Sequence, residues 1–225
     1  MDTYIWSNPK YTNLESIPVK YTFNPGVTML IGPNGSGKTT TLHQLNSIFN
    51  HLDIGIQKWN NIGQNKEVSS LYNCFHYENK YEERFTKDSW LNGEGSIRDL
   101  AESFGNSEGQ DILNFLNKKV PKIGSTVTKS KKANYKGIFI LIDGLDSGLS
   151  LDIINYLRTS LLDFIISIDN TEDFEVYIIC SANSYEFCNN YDCVDVTTQQ
   201  HIKFTNYEEY AKYFETNYIN NKELK

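Results

Sequence analysis

The 225-residue sequence has few cysteines and no long hydrophobic run, and both shortages narrow what the protein can be. Its four cysteines form no C-x-x-C pair, so the spacing of a zinc ribbon or a dithiol redox motif is missing. Cys180, Cys188 and Cys193 could gather around a metal ion, but buried free thiols are the simpler interpretation. No apolar run reaches the about 18 residues of a membrane span, and no early segment has the pattern of a secretory signal. We therefore expect a soluble, cytoplasmic protein.

Basic residues are also in the minority, since 21 Lys and Arg face 28 Asp and Glu, for a net charge of −7. An acidic chain is a poor general binder of nucleic acid. The exception is the segment 118–136, which holds seven lysines and no acidic residue. Its low apolar content favours a solvated loop, although such a block could also hold a phosphate backbone. Nucleic acid bound through this lysine loop is therefore kept as a candidate partner.

The sequence has enough apolar residues, 39% of the total, for one folded domain spanning 1–225. Apolar runs at Val27–Ile31, Ile138–Ile142 and Val176–Cys180 are typical of strands buried on both faces. Segments with helical spacing of apolar residues follow them. Two further strands are predicted near the N-terminus, before the first of these runs. The alternation predicts an α/β fold of packed layers with a mainly parallel core sheet.

One motif carries most of the functional information. After the run Val27–Ile31 comes G-x-x-x-x-G-K-[ST], the pattern of a phosphate-binding loop that leads into a helix. Its residues, with the helix residue that follows them, are Gly32, Pro33, Asn34, Gly35, Ser36, Gly37, Lys38, Thr39 and Thr40. Glycines let backbone N–H groups converge on an anion, and the positive end of the helix dipole points the same way. Lys38 would reach the β- and γ-phosphates of a nucleotide, and the Thr39 hydroxyl would ligate Mg²⁺.

A second motif lies at the end of the run Ile138–Ile142, where the apolar residues give way to Asp143. A carboxylate at a strand end beside a phosphate loop can coordinate Mg²⁺ through water. We therefore predict that Thr39 and Asp143 form the metal site and that ATP with Mg²⁺ is the ligand.

The segment from Asp143 to Ser150 resembles the D-E-P-x-S-G-L-D segment of ABC-type ATPases, with Ser147-Gly148-Leu149-Ser150 as its D-loop. The phosphate loop Gly-Pro-Asn-Gly-Ser-Gly-Lys-Thr is similar to that of the same family, especially its recombination and chromosome-maintenance branch. The family signature L-S-G-G-Q has a counterpart in Asn106-Ser107-Glu108-Gly109-Gln110, and Leu91-Asn92-Gly93-Glu94 is an alternative. The resemblance implies an N-terminal antiparallel element and a helical signature region at about 80–136.

The resemblance also implies a head-to-tail homodimer with two ATP molecules between the protomers. Each phosphate loop would be closed by the partner's signature, with Ser107, Gly109 and Gln110 as binding residues. ATP would then promote dimerisation because it contacts both protomers.

The sequence departs from the family at two positions. Gly144 stands where the family has the glutamate that activates water, and Asp146 is the nearest candidate substitute. Asn183 stands at the position of the switch histidine, and an amide cannot carry its charge. Losing a charge-positioning group costs about 10²–10³ in rate, so we expect tight binding with slow hydrolysis.

Two further parts of an ABC site have several candidates each. The glutamine that senses the γ-phosphate could be Gln57 or Gln64, or Glu78 or Asn79 could stand in for it. Aromatic residues that could stack on adenine are Tyr4, Trp6 and Tyr11, although an aromatic residue in a strand usually belongs to the core.

Three functions are compatible with these motifs. The first is a compact ABC-type ATPase head in DNA repair, recombination or phage–host conflict, because the segment between Lys38 and Asp143 is too short for a long coiled-coil arm. The second is the nucleotide-binding subunit of a membrane transporter, which would need a separate membrane partner. The third is a non-catalytic switch or scaffold whose assembly depends on ATP.

Overall fold

The structure is a computed structural model that describes residues 4–6, 19–50, 68–78, 121–144, 146, 150–162 and 173–219. Strands and helices alternate through these ranges. The strands are β1 (Tyr4–Trp6), β2 (Val19–Tyr21), β3 (Gly26–Ile31), β4 (Tyr72–Glu78), β5 (Gly137–Asp143), β6 (Glu175–Ser181), β7 (Asp192–Asp195) and β8 (His201–Ile202).

The helices follow the strands in the order expected of an α/β fold. They are α1 (Lys38–Asn50), α2 (68–71), α3 (121–132), α4 (Leu151–Tyr156), α5 (Tyr185–Cys188) and α6 (Tyr207–Phe214). Wider π-helical turns extend α4 over Leu157–Leu162 and α6 over Glu215–Ile219. In the part of the chain that the structure describes, every helix is too short or too polar to cross a membrane.

In the described ranges six strands form the central sheet, in the order β4-β5-β6-β3-β7-β8. All neighbours are parallel except β7 and β8, which pair antiparallel. β1 and β2 form a separate antiparallel pair. The predicted α/β fold with a mainly parallel sheet and an N-terminal antiparallel element is therefore confirmed. Because parallel strands end at one edge of a sheet, the residues at the ends of β3, β5, β6 and β7 come together there.

Helices cover both faces of this sheet. All seven residues of β5 are buried, and successive side chains point to opposite faces. One face carries Phe139 and Leu141, which share a core with the α1 residues Leu42 and Leu45. The other face carries Ile138, Ile140 and Ile142, which pack with the buried residues of α3 and α4. The strand ends that carry the candidate site are thus fixed by two cores.

The predicted lysine loop is wrong for the part that is described, because residues 121–132 form helix α3. Ile123 and Val127 are 3% and 1% exposed and belong to the core on one face of the sheet. Serine and threonine hydroxyls disfavour a helix when they compete for its backbone groups. In α3 they instead donate to carbonyl oxygens three or four residues earlier. Burial of two apolar residues at helical spacing therefore outweighs the polar composition.

Candidate functional site

The phosphate-loop motif connects the end of β3 at Ile31 to the start of α1 at Lys38, as the sequence predicts. The loop turns at three glycines with positive φ, namely +144° at Gly32, +80° at Gly35 and +102° at Gly37. A Cβ atom at Gly32 would lie 2.6 Å from Oγ of Ser36. Only glycine fits that position, so the motif itself determines the tight curvature of the loop.

Lys38 folds back over the loop. Its Nζ donates to the carbonyl oxygens of Gly32 at 2.6 Å and Pro33 at 3.2 Å, and the residue is 8% exposed. Burial lowers the pKa of the Lys38 ammonium, and the carboxylates of Asp146 and Asp143 oppose that shift. Among the described residues, nothing hydrogen-bonds the buried hydroxyl of Ser36. A partly desolvated cation and an unsatisfied hydroxyl in one glycine loop suit an anionic ligand.

The remaining predicted loop residues lie on the open side of this loop. Asn34, Gly35 and Thr39 are exposed, and Thr40 is half-buried. The first intrahelical bond of α1 runs from the Thr41 N–H to the Gly37 carbonyl oxygen at 2.8 Å, so the amides before it have no helical acceptor. These amides and the Thr39 hydroxyl are the groups that could hold a phosphate and its metal ion.

Asp143 ends β5 and is 6% exposed. β6 separates it from the phosphate-loop strand, and Ser181 at the end of β6 bridges the gap. The Ser181 hydroxyl donates to Oδ1 of Asp143 at 2.5 Å and accepts the Gly144 N–H at 2.8 Å. Gly144 has a φ of +65°. Sequence reasoning missed Ser181, although its place at the end of an apolar run matched that of Asp143.

Asp146 holds the turn after β6. Its Oδ2 accepts the N–H groups of Asn183 at 2.5 Å and Ser184 at 2.6 Å, which places this carboxylate at the entry of α5. Its Oδ1 is buried, and in the described part of the chain it meets no hydrogen-bond donor. Asn183 itself is exposed, and its carbonyl oxygen accepts the Tyr210 hydroxyl at 2.6 Å. Asp146 is thus tied to Asn183, the residue at the predicted switch position.

The buried carboxylate of Asp195 is a second feature that sequence reasoning missed. It ends β7 opposite Ile31, and no part of the residue is exposed. The hydroxyls of Tyr213 at 2.5 Å, Thr197 at 2.7 Å and Tyr218 donate to it. Burial alone would raise the pKa of Asp195, but these hydrogen bonds outweigh burial and lower the pKa. Helix α6 and its π-helical extension thus fix the end of β7 beside the phosphate loop. They do so through contacts between residues that are not neighbours in the chain.

Several predicted positions lie outside the described residues. They are the signature residues Ser107, Gly109 and Gln110, the alternative signature at 91–94, and Tyr11, Gln57, Gln64 and Asn79. Glu78 ends β4 directly opposite Asp143 in the parallel register, so this sensor candidate and Asp143 are at the same edge of the sheet. Tyr4 and Trp6 form the two ends of β1.

Comparison with known proteins gives no family assignment. No family model matches the chain. No curated protein sequence matches it either. Among solved structures, the chain is similar to a putative ABC transporter ATP-binding protein from Pyrococcus furiosus, with 15% identity and a TM-score of 0.35 over 81% of this chain and 92% of that one. A likeness at this level is too weak to assign a function, so the function has to be inferred from the residues of the site.

Proposed function

We propose that the chain is an ATP-binding ATPase head of the ABC type. The observation that carries the proposal is the Gly32–Thr39 loop, in which a strand end, a glycine turn, a buried lysine and a helix start occur in the order that phosphate binding requires. The Lys38 ammonium donates hydrogen bonds to two carbonyl oxygens of the loop, and it can exchange these acceptors for phosphate oxygens. The amides of the loop and of the first turn of α1 would hold the phosphates.

Mg²⁺ is the metal ion that this donor set favours. Thr39 offers an exposed hydroxyl and Asp143 a carboxylate oriented by Ser181, and hard oxygen ligands with retained water are typical of Mg²⁺. The bound metal ion would neutralise phosphate charge. The protein supplies the orientation of that carboxylate through the Ser181 hydroxyl.

Slow hydrolysis is supported by what surrounds Asp143. Gly144 has no side chain with which to activate water. Asp146, the nearest other carboxylate in sequence, already accepts two backbone N–H groups from the turn after β6. Its Oδ2 is engaged by both N–H groups and its Oδ1 is buried, so neither oxygen is presented to solvent water as a general base would require.

The same observations favour an ATP-dependent switch in which nucleotide binding, rather than hydrolysis, controls the assembly of the protein. In this proposal Mg-ATP joins two copies of the chain, with Ser107, Gly109 and Gln110 of one protomer closing the loop of the other. Recombination, repair or phage–host conflict is the proposed setting for a head of this kind. A transporter role would add a membrane partner to the same nucleotide chemistry.

Calorimetric titration of the full chain with ATP, with and without Mg²⁺, tests the proposal. We expect saturable binding that Lys38→Ala reduces at least tenfold, because the variant removes the cation of the loop. Lys212→Ala, which changes an exposed side chain of α6, is the matched control and should bind as the wild type does. Absence of heat at millimolar nucleotide, or equal binding by Lys38→Ala, would overturn it.

Light scattering and phosphate release on the same samples test the finer statements. Mg-ATP should double the mass of the wild type and leave Ser107→Arg monomeric, while phosphate release stays slow in both. Rapid release that Asp146→Asn abolishes would instead identify Asp146 as the base.

A further inference from the structure

Helix α3 divides into a buried face and a cationic face. Ile123, Val127 and Ser130 are 3%, 1% and 1% exposed and lie on one side at helical spacing. Lys122, Lys129 and Lys132 are exposed and lie on the other side, since positions seven and three residues apart share a helix face. We call these three residues the lysine face.

The charges of the lysine face are not neutralised within the described part of the chain. No acidic side chain there forms an ion pair with any of the three. Two nearby lysines are not part of this face because their ammonium groups have partners. Lys136 pairs with Glu175 at 3.2 Å, and Nζ of Lys131 lies over the Phe174 ring at 5.2 Å from its centre. The 14 basic and 28 acidic residues outside 118–136 balance to −14, so this helix is the exception on an acidic protein.

The chemistry of the face limits which polyanion it fits. A helix that binds a membrane surface needs exposed apolar side chains to insert, whereas Ile123 and Val127 are in the core. A protein interface needs an apolar or aromatic centre, and the residues between the lysines are Ser125 and Thr128. Both hydroxyls already donate to helix carbonyl oxygens. Only the ammonium groups remain as donors.

From this we infer that the lysine face binds the phosphate backbone of a nucleic acid duplex without reading its sequence. Helix α3 carries no arginine, asparagine or glutamine for two-pronged contacts to base edges, and no aromatic residue stands on the face to stack on unpaired bases. Lysine binds phosphate as a point charge. Lys122 and Lys132 are about 15 Å apart along the helix axis, a length over which a duplex carries about nine phosphate charges. The binding is electrostatic.

Counterion release makes the proposal quantitative. Each phosphate neutralised by a lysine adds about −0.9 to the slope of log affinity against log salt. Three contacts give a slope of about −2.7, so affinity should fall about 40-fold between 50 and 200 mM salt. Removing two of the lysines should make the slope shallower by about 1.8, whatever other contacts add.

The experiment is fluorescence anisotropy of a labelled 30-base-pair duplex of random sequence, titrated with the full chain at several salt concentrations. Lys129→Gln with Lys132→Gln removes two charges from the lysine face, and Lys203→Gln with Lys212→Gln removes two exposed charges elsewhere. We expect the first pair to flatten the slope by about 1.8 and the second pair to leave it unchanged. Lys129→Arg with Lys132→Arg should keep the wild-type slope, and thermal unfolding checks that all variants fold.

Three results would overturn the proposal. One is the absence of salt-dependent duplex binding by the wild type. Another is an equal loss in both glutamine pairs, which would mean that net charge alone is responsible. The third is retention on vesicles of phosphatidylserine and phosphatidylcholine, lost in the first pair, with no duplex binding, which would assign the face to a membrane.

Discussion

Ser181 and Asp143 end two adjacent parallel strands, and the Ser181 hydroxyl donates a 2.5 Å hydrogen bond to the Asp143 carboxylate. The same hydroxyl accepts the Gly144 N–H, so one side chain fixes both the carboxylate and the backbone that follows it. In the proposed Mg²⁺ site Asp143 is a ligand, and a group that orients a metal ligand is often worth about 10–100-fold in metal affinity.

Ser181→Ala should therefore weaken the Mg²⁺-dependent part of ATP binding by about 10–100-fold and leave binding in EDTA unchanged. Calorimetric titration under both conditions measures the difference. Ser184→Ala is a matched control three residues away, because the Ser184 hydroxyl makes no hydrogen bond among the described residues. A similar loss in both variants would contradict a specific role for Ser181.

Asp146 is expected to matter more for folding than for turnover. Asp146→Ala removes the acceptor of two backbone N–H groups and should cost about 0.5–2 kcal/mol, as the loss of a helix cap does. Asp146→Asn keeps an acceptor oxygen and should cost less than the alanine change. Urea denaturation measures both, and equal stability of Asp146→Ala and the wild type would argue against the capping role.

The phosphate loop and α3 offer two glycines with opposite expected outcomes. Gly32→Ala places a Cβ 2.6 Å from Ser36 Oγ at a φ of +144°, so it should destabilise the fold by about 1–3 kcal/mol and impair ATP binding. Gly124→Ala meets nothing within 4 Å in a helix and should stabilise the fold by up to about 1 kcal/mol. Thermal unfolding of the two variants side by side tests these two local geometries. A change in stability of the same sign in both variants would contradict them.

Asp195 gives the fold an acid-sensitive element. Its pKa is lower in the folded chain than the ordinary value of 3.8, so its ionised form stabilises the protein above about pH 4. That contribution is lost as pH falls below about 4 through the folded pKa, because protonation removes the charged acceptor of the Tyr213 and Tyr218 hydroxyls. Denaturant unfolding at pH 7 and at pH 3 should show the decrease.

Tyrosine variants separate this carboxylate from the other acids of the chain. Tyr213→Phe removes a hydrogen bond to a buried charge and should cost about 1.5–3 kcal/mol at pH 7, and the cost should shrink toward pH 3. Tyr207→Phe, at a side chain that is 63% exposed, is the control and should change stability little at either pH. A cost for Tyr213→Phe that does not vary with pH would contradict the assignment.

How much the sequence predicts is clearest in the phosphate loop. The motif, its strand and its helix are predictable from local pattern alone, because glycine spacing and apolar periodicity are set by neighbours in the chain. The α/β class follows from the same periodicities. The prediction of a loop in place of α3 is wrong, since the polar composition conceals two apolar residues that are buried in the core on one face of the sheet.

The sequence by itself determined the strand–loop–helix that carries Lys38 and the aspartate that ends a buried strand. Both depend only on residues that are neighbours in the chain. Tertiary structure alone decided that β6 lies between those two strands and that Ser181 bridges to Asp143. It also decided that Asp146 caps the next turn and that tyrosines of the last helix reach Asp195. These contacts join residues far apart in the chain, and only the packing of the sheet brings such residues within hydrogen-bonding distance.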